Sequence, residues 1–316
     1  MIKTTAFFFF LLCFVACRRS DEGIRLERRT RLSTAPSGSS LLLRGDTVFV
    51  VGDDATGIYR FHRNDTVPEK LPVAGLDFAL FREPRSNKHD FEAGIWMEAP
   101  SGPLLIAFAS GSRNANRDSA LLWPPRQPQN ARILSLEDIY RELQYKSGIQ
   151  HIVWNIEGAA LTGDTLHLLN RGTNTVFSLP LAGFLQSLEK GAPLPATRVQ
   201  QLALPGIGGK PARLSGACTL DADHLLFSAS VEDTHDWTTD GEVLGSFIGI
   251  YSTRKGSVVK TWLLADEKGQ PHKDKIESLD LLRRNKDGSL QVLAVADNDD
   301  GASTILELRV PARKNQ

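Results

Sequence analysis

The sequence predicts an all-β protein: a β-propeller of four-stranded antiparallel blades, five favoured and six possible, with two short inserted helices. Three observations point there. Apolar and polar residues alternate in runs of about five to eight, the pattern of half-buried strands. Turn signals such as the Gly-Asp-Thr of 45–47 and of 163–165 separate the runs. The runs also fall into five copies, opening at Ser37, Glu92, Glu157, Ser215 and Glu277, roughly 55 to 65 residues apart.

The copies justify the fold in order. The first, "SGSSLLLRGDTVFVVGDDATGIYRF" (37–61), reads as strand, turn, strand, acidic loop, strand. The second is "EAGIWMEAPSGPLLIAFASGS" (92–112), and "EGAALTGDTLHLLNRGTNTVFSL" (157–179) repeats the first nearly in register. "SGACTLDADHLLFSASVED" (215–233) and "ESLDLLRRNKDGSLQVLAVADND" (277–299) complete the set. A further β-rich piece follows the third strand, as in "TRVQQLALP" (197–205) and "SVVKTWLLA" (257–265), giving four strands per copy. Such blades are longer than usual, so insertions are expected. "SLEDIYRELQYK" (135–146) reads as a helix with Ser135 as its cap and Ile139 and Leu143 four apart. "LAGFLQSLEKG" (181–191) reads as a second helix at the matching place after a third strand. "IRLERRTRL" (24–32) can supply the missing outer strand beside "STILELRV" (303–310) and so close the ring.

The first residues, "MIKTTAFFFFLLCFVAC", have a positive start and an apolar stretch from Ala6 to Ala16, too short to span a bilayer stably. The ending "FVAC" resembles a bacterial lipoprotein cleavage site. Residues 1–16 are thus expected to be a signal peptide, 17–29 a tether lipidated at Cys17, and 30–312 one propeller domain. That places the protein in a bacterial cell envelope, outer membrane favoured, held by acyl chains that gain about 0.8 kcal/mol per buried CH₂. Cys13 leaves with the signal and Cys17 carries lipid, so Cys218 stands alone and no internal disulfide or cysteine metal site is expected. Lys+Arg and Asp+Glu balance at 37 each, which gives no electrostatic footprint for nucleic acid. A monomer is expected.

The opening carboxylates carry the functional expectation. In a blade the first strand is innermost, so its start and the end of the second strand lie on one face of the ring. Glu92, Glu157 and Glu277 then converge on the channel, followed by the small residues Ala93, Gly158 and Ser278. The loops after the second strands bring Asp53, Asp54, Glu232, Asp233, Asp297 and Asp299 to the same face, with Arg113, Arg117 and Arg171. Converging carboxylates repel and raise one another's pKa values unless a cation joins them. A hard divalent ion, Ca²⁺ rather than Zn²⁺ because Cys and His ligands are scarce, is one solution, with Glu92, Glu157, Glu277 and Glu232 as ligands. Pairing with Arg171, Arg113, Lys88 or Lys275 is the other. Arg113, Arg117, Arg171, Lys88 and Lys275 can also grip a phosphorylated or other anionic small molecule. No nucleophile or general base stands out. Gly-x-Ser-x-Gly is absent, and His235, in an acidic loop, is the only histidine worth considering as an acid or base.

The segments "KHDFEA" (88–93), "ASGSRNANRD" (109–118), "NIEGAAL" (155–161), "NRG" (170–172), "ASVEDT" (229–234), "DGEVLGSFIG" (240–249), "KIES" (275–278) and "VADNDD" (295–300) resemble the bacterial propellers of the "esterase-like activity of phytase" and SdiA-regulated families. The resemblance spans roughly residues 30 to 310. It implies a propeller fold, an exported or lipid-anchored location and calcium in the channel. Ala93 and Ser278 depart from the Asp/Glu-Gly pairs of those patterns, and Ser215 replaces a glutamate. Three functions follow as expectations. The first is an envelope lipoprotein whose channel face binds calcium and an anionic ligand, the second a calcium-dependent phytase-like phosphoesterase, the third a non-catalytic protein-interaction scaffold.

Overall fold

The computed structural model describes residues 23–112, 115–234, 241–297 and 301–312. The signal segment, Cys17, Arg113, His235 and Asp299 lie outside the described residues. Among the described residues, five antiparallel sheets of four strands each form the body; in four of them the strands lie side by side in chain order, and in the fifth the N-terminal strand lies outside the last one.

Blade one comprises Gly38–Arg44, Thr47–Gly52, Ile58–His62 and Glu69–Leu71. Blade two comprises Phe91–Ala99, Gly102–Ala109, Ser119–Trp123 and Arg132–Ser135. Blade three comprises Ile156–Thr162, Thr165–Asn170, Thr175–Pro180 and Arg198–Gln201. Blade four comprises Arg213–Asp221, His224–Asp233, Glu242–Ser252 and Ser257–Leu263. Blade five comprises Ile276–Arg284, Leu290–Asp297 and Ser303–Val310, and Arg25–Leu32 is its outer strand. The N-terminal strand thus closes the ring as the sequence predicts, and five blades replace the six-blade alternative. Because this strand starts at Arg25, residues 25–29 belong to the sheet and not to the tether.

Helix α1 (Glu137–Ser147) and helix α2 (Leu181–Lys190) form where the apolar spacing predicts them. They do not occupy matching places. α2 lies between the third and outer strands of blade three, whereas α1 follows the outer strand of blade two. That strand is only "RILS", too short to show a period, so the pattern alone ran it into the helix. Ser135 therefore ends a strand, and Leu136 takes the cap position; the Ser135 hydroxyl still accepts a hydrogen bond from the Glu137 amide at 3.2 Å.

Each pair of neighbouring blades shares one apolar cluster. Phe49, Val51, Leu105 and Trp123 fill the seam between blades one and two. Ile106, Phe108, Leu168 and Phe177 fill the next, where α1 and α2 dock through Tyr140, Leu143 and Phe184. Each such side chain contributes roughly 1.5–3 kcal/mol on burial, so the seams hold the ring closed. At the axis the innermost strands need the opposite, an absence of side chain. A Cβ on Gly216 would sit 2.7 Å from the carbonyl oxygen of Glu277, and one on Gly158 3.1 Å from the Gly216 backbone.

Candidate functional site at the channel mouth

The start of each inner strand pairs with the end of the second strand, as in Ile156 with Asn170 and Gly38 with Gly52. This register brings the opening carboxylates and the loops after the second strands to one mouth of the channel. Two groups of side chains meet there.

The first group joins blades one and two. Asp53, Asp90 and Glu92 each offer an oxygen, all within 4.8 Å of one another. Asp90 is 3% exposed and holds a left-handed backbone at φ 61, an uncommon conformation for a residue with a Cβ. The surroundings fix it there. Ser110 donates through its hydroxyl to the Asp90 carboxylate, Ser112 Oγ lies 3.3 Å away, and Arg117 Nη1 donates at 3.0 Å. Lys88 bridges Asp90, at 2.7 Å, and Asp53. Glu92 has no comparable donor. Burial, then the charges of Glu157, Asp90 and Asp53, push its pKa well above the ordinary carboxylate value. Burial likewise raises Asp53 to about 6, against the pull of Lys88.

The second group joins blades three, four and five. Arg171 is 6% exposed and bonds Glu232, with its Nε 3.9 Å from Glu157. Lys275 lies 3.1 Å from Glu277 and 3.6 Å from Glu232. Asn155 donates to Glu157 at 2.7 Å. Burial raises Glu157 to about 7, with Arg171 opposing and Glu277 adding to the rise. Burial works against the Arg171 charge, but Glu157, Glu232, Glu277 and Glu92 together keep it firmly protonated.

Most buried side-chain polar atoms without a hydrogen-bond partner gather around this mouth. They are Asp53 Oδ1, Asp54 Oδ1, Asn155 Oδ1, Arg171 Nη1 and Glu232 Oε1; the others among the described residues are Tyr59 Oη and the indole nitrogens of Trp96 and Trp154. Buried polar atoms normally find partners, so a concentration of orphans marks a place prepared for water, an ion or a ligand.

The structure thus brings Glu92, Glu157, Glu232 and Glu277 to one mouth, as the sequence predicts, but divides them. Glu92 joins Asp53 and Asp90, while Glu157, Glu232 and Glu277 surround Arg171 and Lys275. Lys88 and Arg117, expected as anion receptors, are partners of Asp90. Sequence reasoning left out Asp90 and Asn155. The signal was a column two residues before the carboxylate position: Asp90, Asn155, Arg213 and Lys275, with Ser37 in blade one, where the register sets Ser39 and not Ser37 level with Glu157. The oxygen-only set at Asp53, Asp90 and Glu92 suits a hard cation, and the free Arg171 Nη1 can donate to an anion.

The fold has relatives among solved structures. Glutaminyl cyclase of Myxococcus xanthus aligns over 92% of this chain and 97% of its own, at 11% identity and a TM-score of 0.50. The tail fiber of Staphylococcus aureus phage P68 aligns over 91% of this chain and 52% of its own, at 9% identity and a TM-score of 0.47. A luciferin-regenerating enzyme aligns over 90% and 97%, at 10% identity and a TM-score of 0.43. Identities this low speak for the fold alone. No curated protein matches the chain. One family model matches residues 34–310, nearly the whole ring, and the chain belongs to that family, the Family of unknown function (DUF6929).

Proposed function

We propose that the channel mouth is a divalent-cation site, calcium fitting its donors best, beside an anion-binding group, in a lipoprotein held at the cell envelope through Cys17. The carrying observation is the meeting of Asp53, Asp90 and Glu92 within 4.8 Å, with orphaned carboxylate oxygens beside them. Among the described residues, Asp53, Asp90, Glu92, Glu157, Glu232 and Glu277 pair with Lys88, Arg117, Arg171 and Lys275, and Arg82 adds its charge beside Asp53. A bound cation would offset the carboxylates in excess and relieve the repulsion that raises Glu92. In this reading the Lys88 ammonium stands in for the cation and calcium displaces it. Arg171 and Lys275 would then hold an anionic ligand, with the Arg171 Nη1 as its open donor. The outer strand enters at Arg25 on the face opposite Leu32, which pairs with Ser303 near the mouth. A lipid tether at that end would turn the mouth away from the membrane.

Thermal unfolding in EDTA and then in millimolar Ca²⁺ tests this. Calcium at a hundredfold excess over Kd would add about 2.7 kcal/mol, and Glu92→Gln would abolish the gain. Lys88→Met, which keeps the stem and removes the competing charge, would tighten binding. No calcium effect in either the parent or Lys88→Met would leave a salt-bridged mouth and favour the scaffold reading.

The open Arg171 donor also favours a second reading, a calcium-dependent phosphoesterase resembling the phytase-like propellers. Release of phosphate from phytate or p-nitrophenyl phosphate, lost with EDTA and with Arg171→Lys, would support it. No release at any calcium concentration would exclude it.

A further inference from the structure

Away from the mouth, the seams between blades differ at one level. The turns Gly45-Asp46 and Gly163-Asp164 align blade one with blade three residue for residue. Leu42, Phe49, Val51 and Ile58 face blade two; Ala160, His167, Leu169 and Val176 occupy the equivalent places facing blade four. Between blades one and two, Phe49 meets Trp96 edge to face at 5.1 Å. Four residues after the opening position, where blade two has Trp96, blade four has Thr219. His167 thus stands where blade one has Phe49, and the seam beside it opens into a cleft of about 650 Å³.

The cleft has its own chemistry. Thr162, Thr165, His167, Ser178, Thr197 and Thr253 line it, with Arg198, Arg254 and one carboxylate, Asp223, among its charged residues. His167 is 1% exposed and sits between two hydroxyls, Thr162 Oγ1 at 2.7 Å from Nε2 and Ser178 Oγ at 2.8 Å from Nδ1. Burial lowers its pKa to about 4, so the ring stays neutral and each nitrogen serves one hydroxyl as donor or acceptor. His167, Ser178 and Arg198 stand in one cross-strand row. Arg198 Nη1 donates to the Thr253 carbonyl at 2.8 Å, which aims its guanidinium across the seam. Leu179, Pro180, Ala196 and Ala222 supply apolar wall.

We propose that this cleft between blades three and four is a second binding site, distinct from the channel mouth, and that it takes an acidic saccharide. Hydroxyls suit a hydroxyl-rich ligand, because each can donate or accept, and His167, with both nitrogens taken by Thr162 and Ser178, holds two of them in place. The two guanidiniums outweigh the single carboxylate of Asp223 and select an anionic group, a carboxylate suiting the planar fork of arginine. The volume lies within the range of small-molecule sites.

Isothermal titration of the full-length protein in detergent with sodium glucuronate, glucose and inorganic phosphate tests the proposal. Glucuronate is expected to bind, glucose at least tenfold more weakly, and phosphate more weakly than glucuronate. Arg254→Ala, at an exposed position, should weaken glucuronate about tenfold, as loss of one charge-assisted bond would. His167→Phe, which copies the filled seam of blade one, should abolish binding while the calcium response at the mouth persists. Equal binding of glucose, stronger binding of phosphate, no binding of glucuronate, or glucuronate binding that survives His167→Phe would each overturn it. Because Arg254→Ala leaves the packed seam untouched, the test does not depend on His167→Phe folding.

Discussion

The same five inner strands carry buried carboxylates at two depths, and the two are built differently. At the mouth, Glu92 has three acidic neighbours, Glu157, Asp90 and Asp53, against the one charge of Lys88. Deeper in the channel, Leu41, Ile95, Ala160 and Cys218 line a cavity of about 170 Å³, and Asp280 is the carboxylate on its wall. Burial raises Asp280 to about 6, but the amides of Leu43 and Leu281 each donate to it at 2.7 Å and pull the other way. Asp280 ties blade five to blade one and its hydrogen-bonding needs are met within the fold. An acid satisfied by backbone stabilises the ring, whereas one left among other acids is where the proposed cation would sit.

The largest expected effect separates the two halves of the mouth. Arg171→Met leaves Glu157 and Glu232 buried without their cation and should cost about 3–5 kcal/mol of stability, read by urea unfolding. The loss should shrink at pH 5, where Glu157 is protonated. A loss that is independent of pH would break the account of Arg171 as the charge partner of Glu157.

Next comes Asp280→Asn. It keeps the shape but gives up two charge-assisted bonds, and should cost about 1–3 kcal/mol with no change in the response to calcium. A change in that response would merge the two depths and remove the contrast.

A smaller effect is the dependence on pH. Glu157 rises from 4.5 to about 7 on folding, and Asp53 from 3.8 to about 6. The folded protein therefore binds more protons than the unfolded chain between about pH 4 and 7, and stability without metal should fall as pH rises through that interval. Glu157→Gln should flatten the slope, and calcium should bind more tightly as pH rises from 5.5 to 8. A stability curve that rises across this window would contradict the raised carboxylates.

The smallest effect is expected from Cys218. Burial and the neighbouring Asp280 hold its thiol well above the ordinary value, so it should resist alkylation in the native protein, read as unchanged mass after iodoacetamide. Rapid labelling would place the thiol in a more open channel.

Much of this was legible in the sequence for definite reasons. Strand alternation and the repeated opening position fixed the blades, and the inner position of first strands placed Glu92, Glu157 and Glu277 at one mouth. The four-residue outer strand of blade two was not legible, because so short a run has no period. Nor was the division of the carboxylates, because which acid meets which base depends on neighbouring blades distant in sequence, as with Arg171 and Glu232. Asp90 was hidden by its left-handed backbone, which no composition rule announces for an aspartate. The hollow seam beside His167 became visible only when it was set against Phe49 and Trp96.

The most direct test of the central claim is isothermal titration of the purified protein with Ca²⁺ at pH 7.5, set beside Glu92→Gln and Asp280→Asn. The account predicts one calcium per chain, lost in Glu92→Gln and unchanged in Asp280→Asn. No bound calcium in the parent protein, or binding that Glu92→Gln leaves intact, would contradict it.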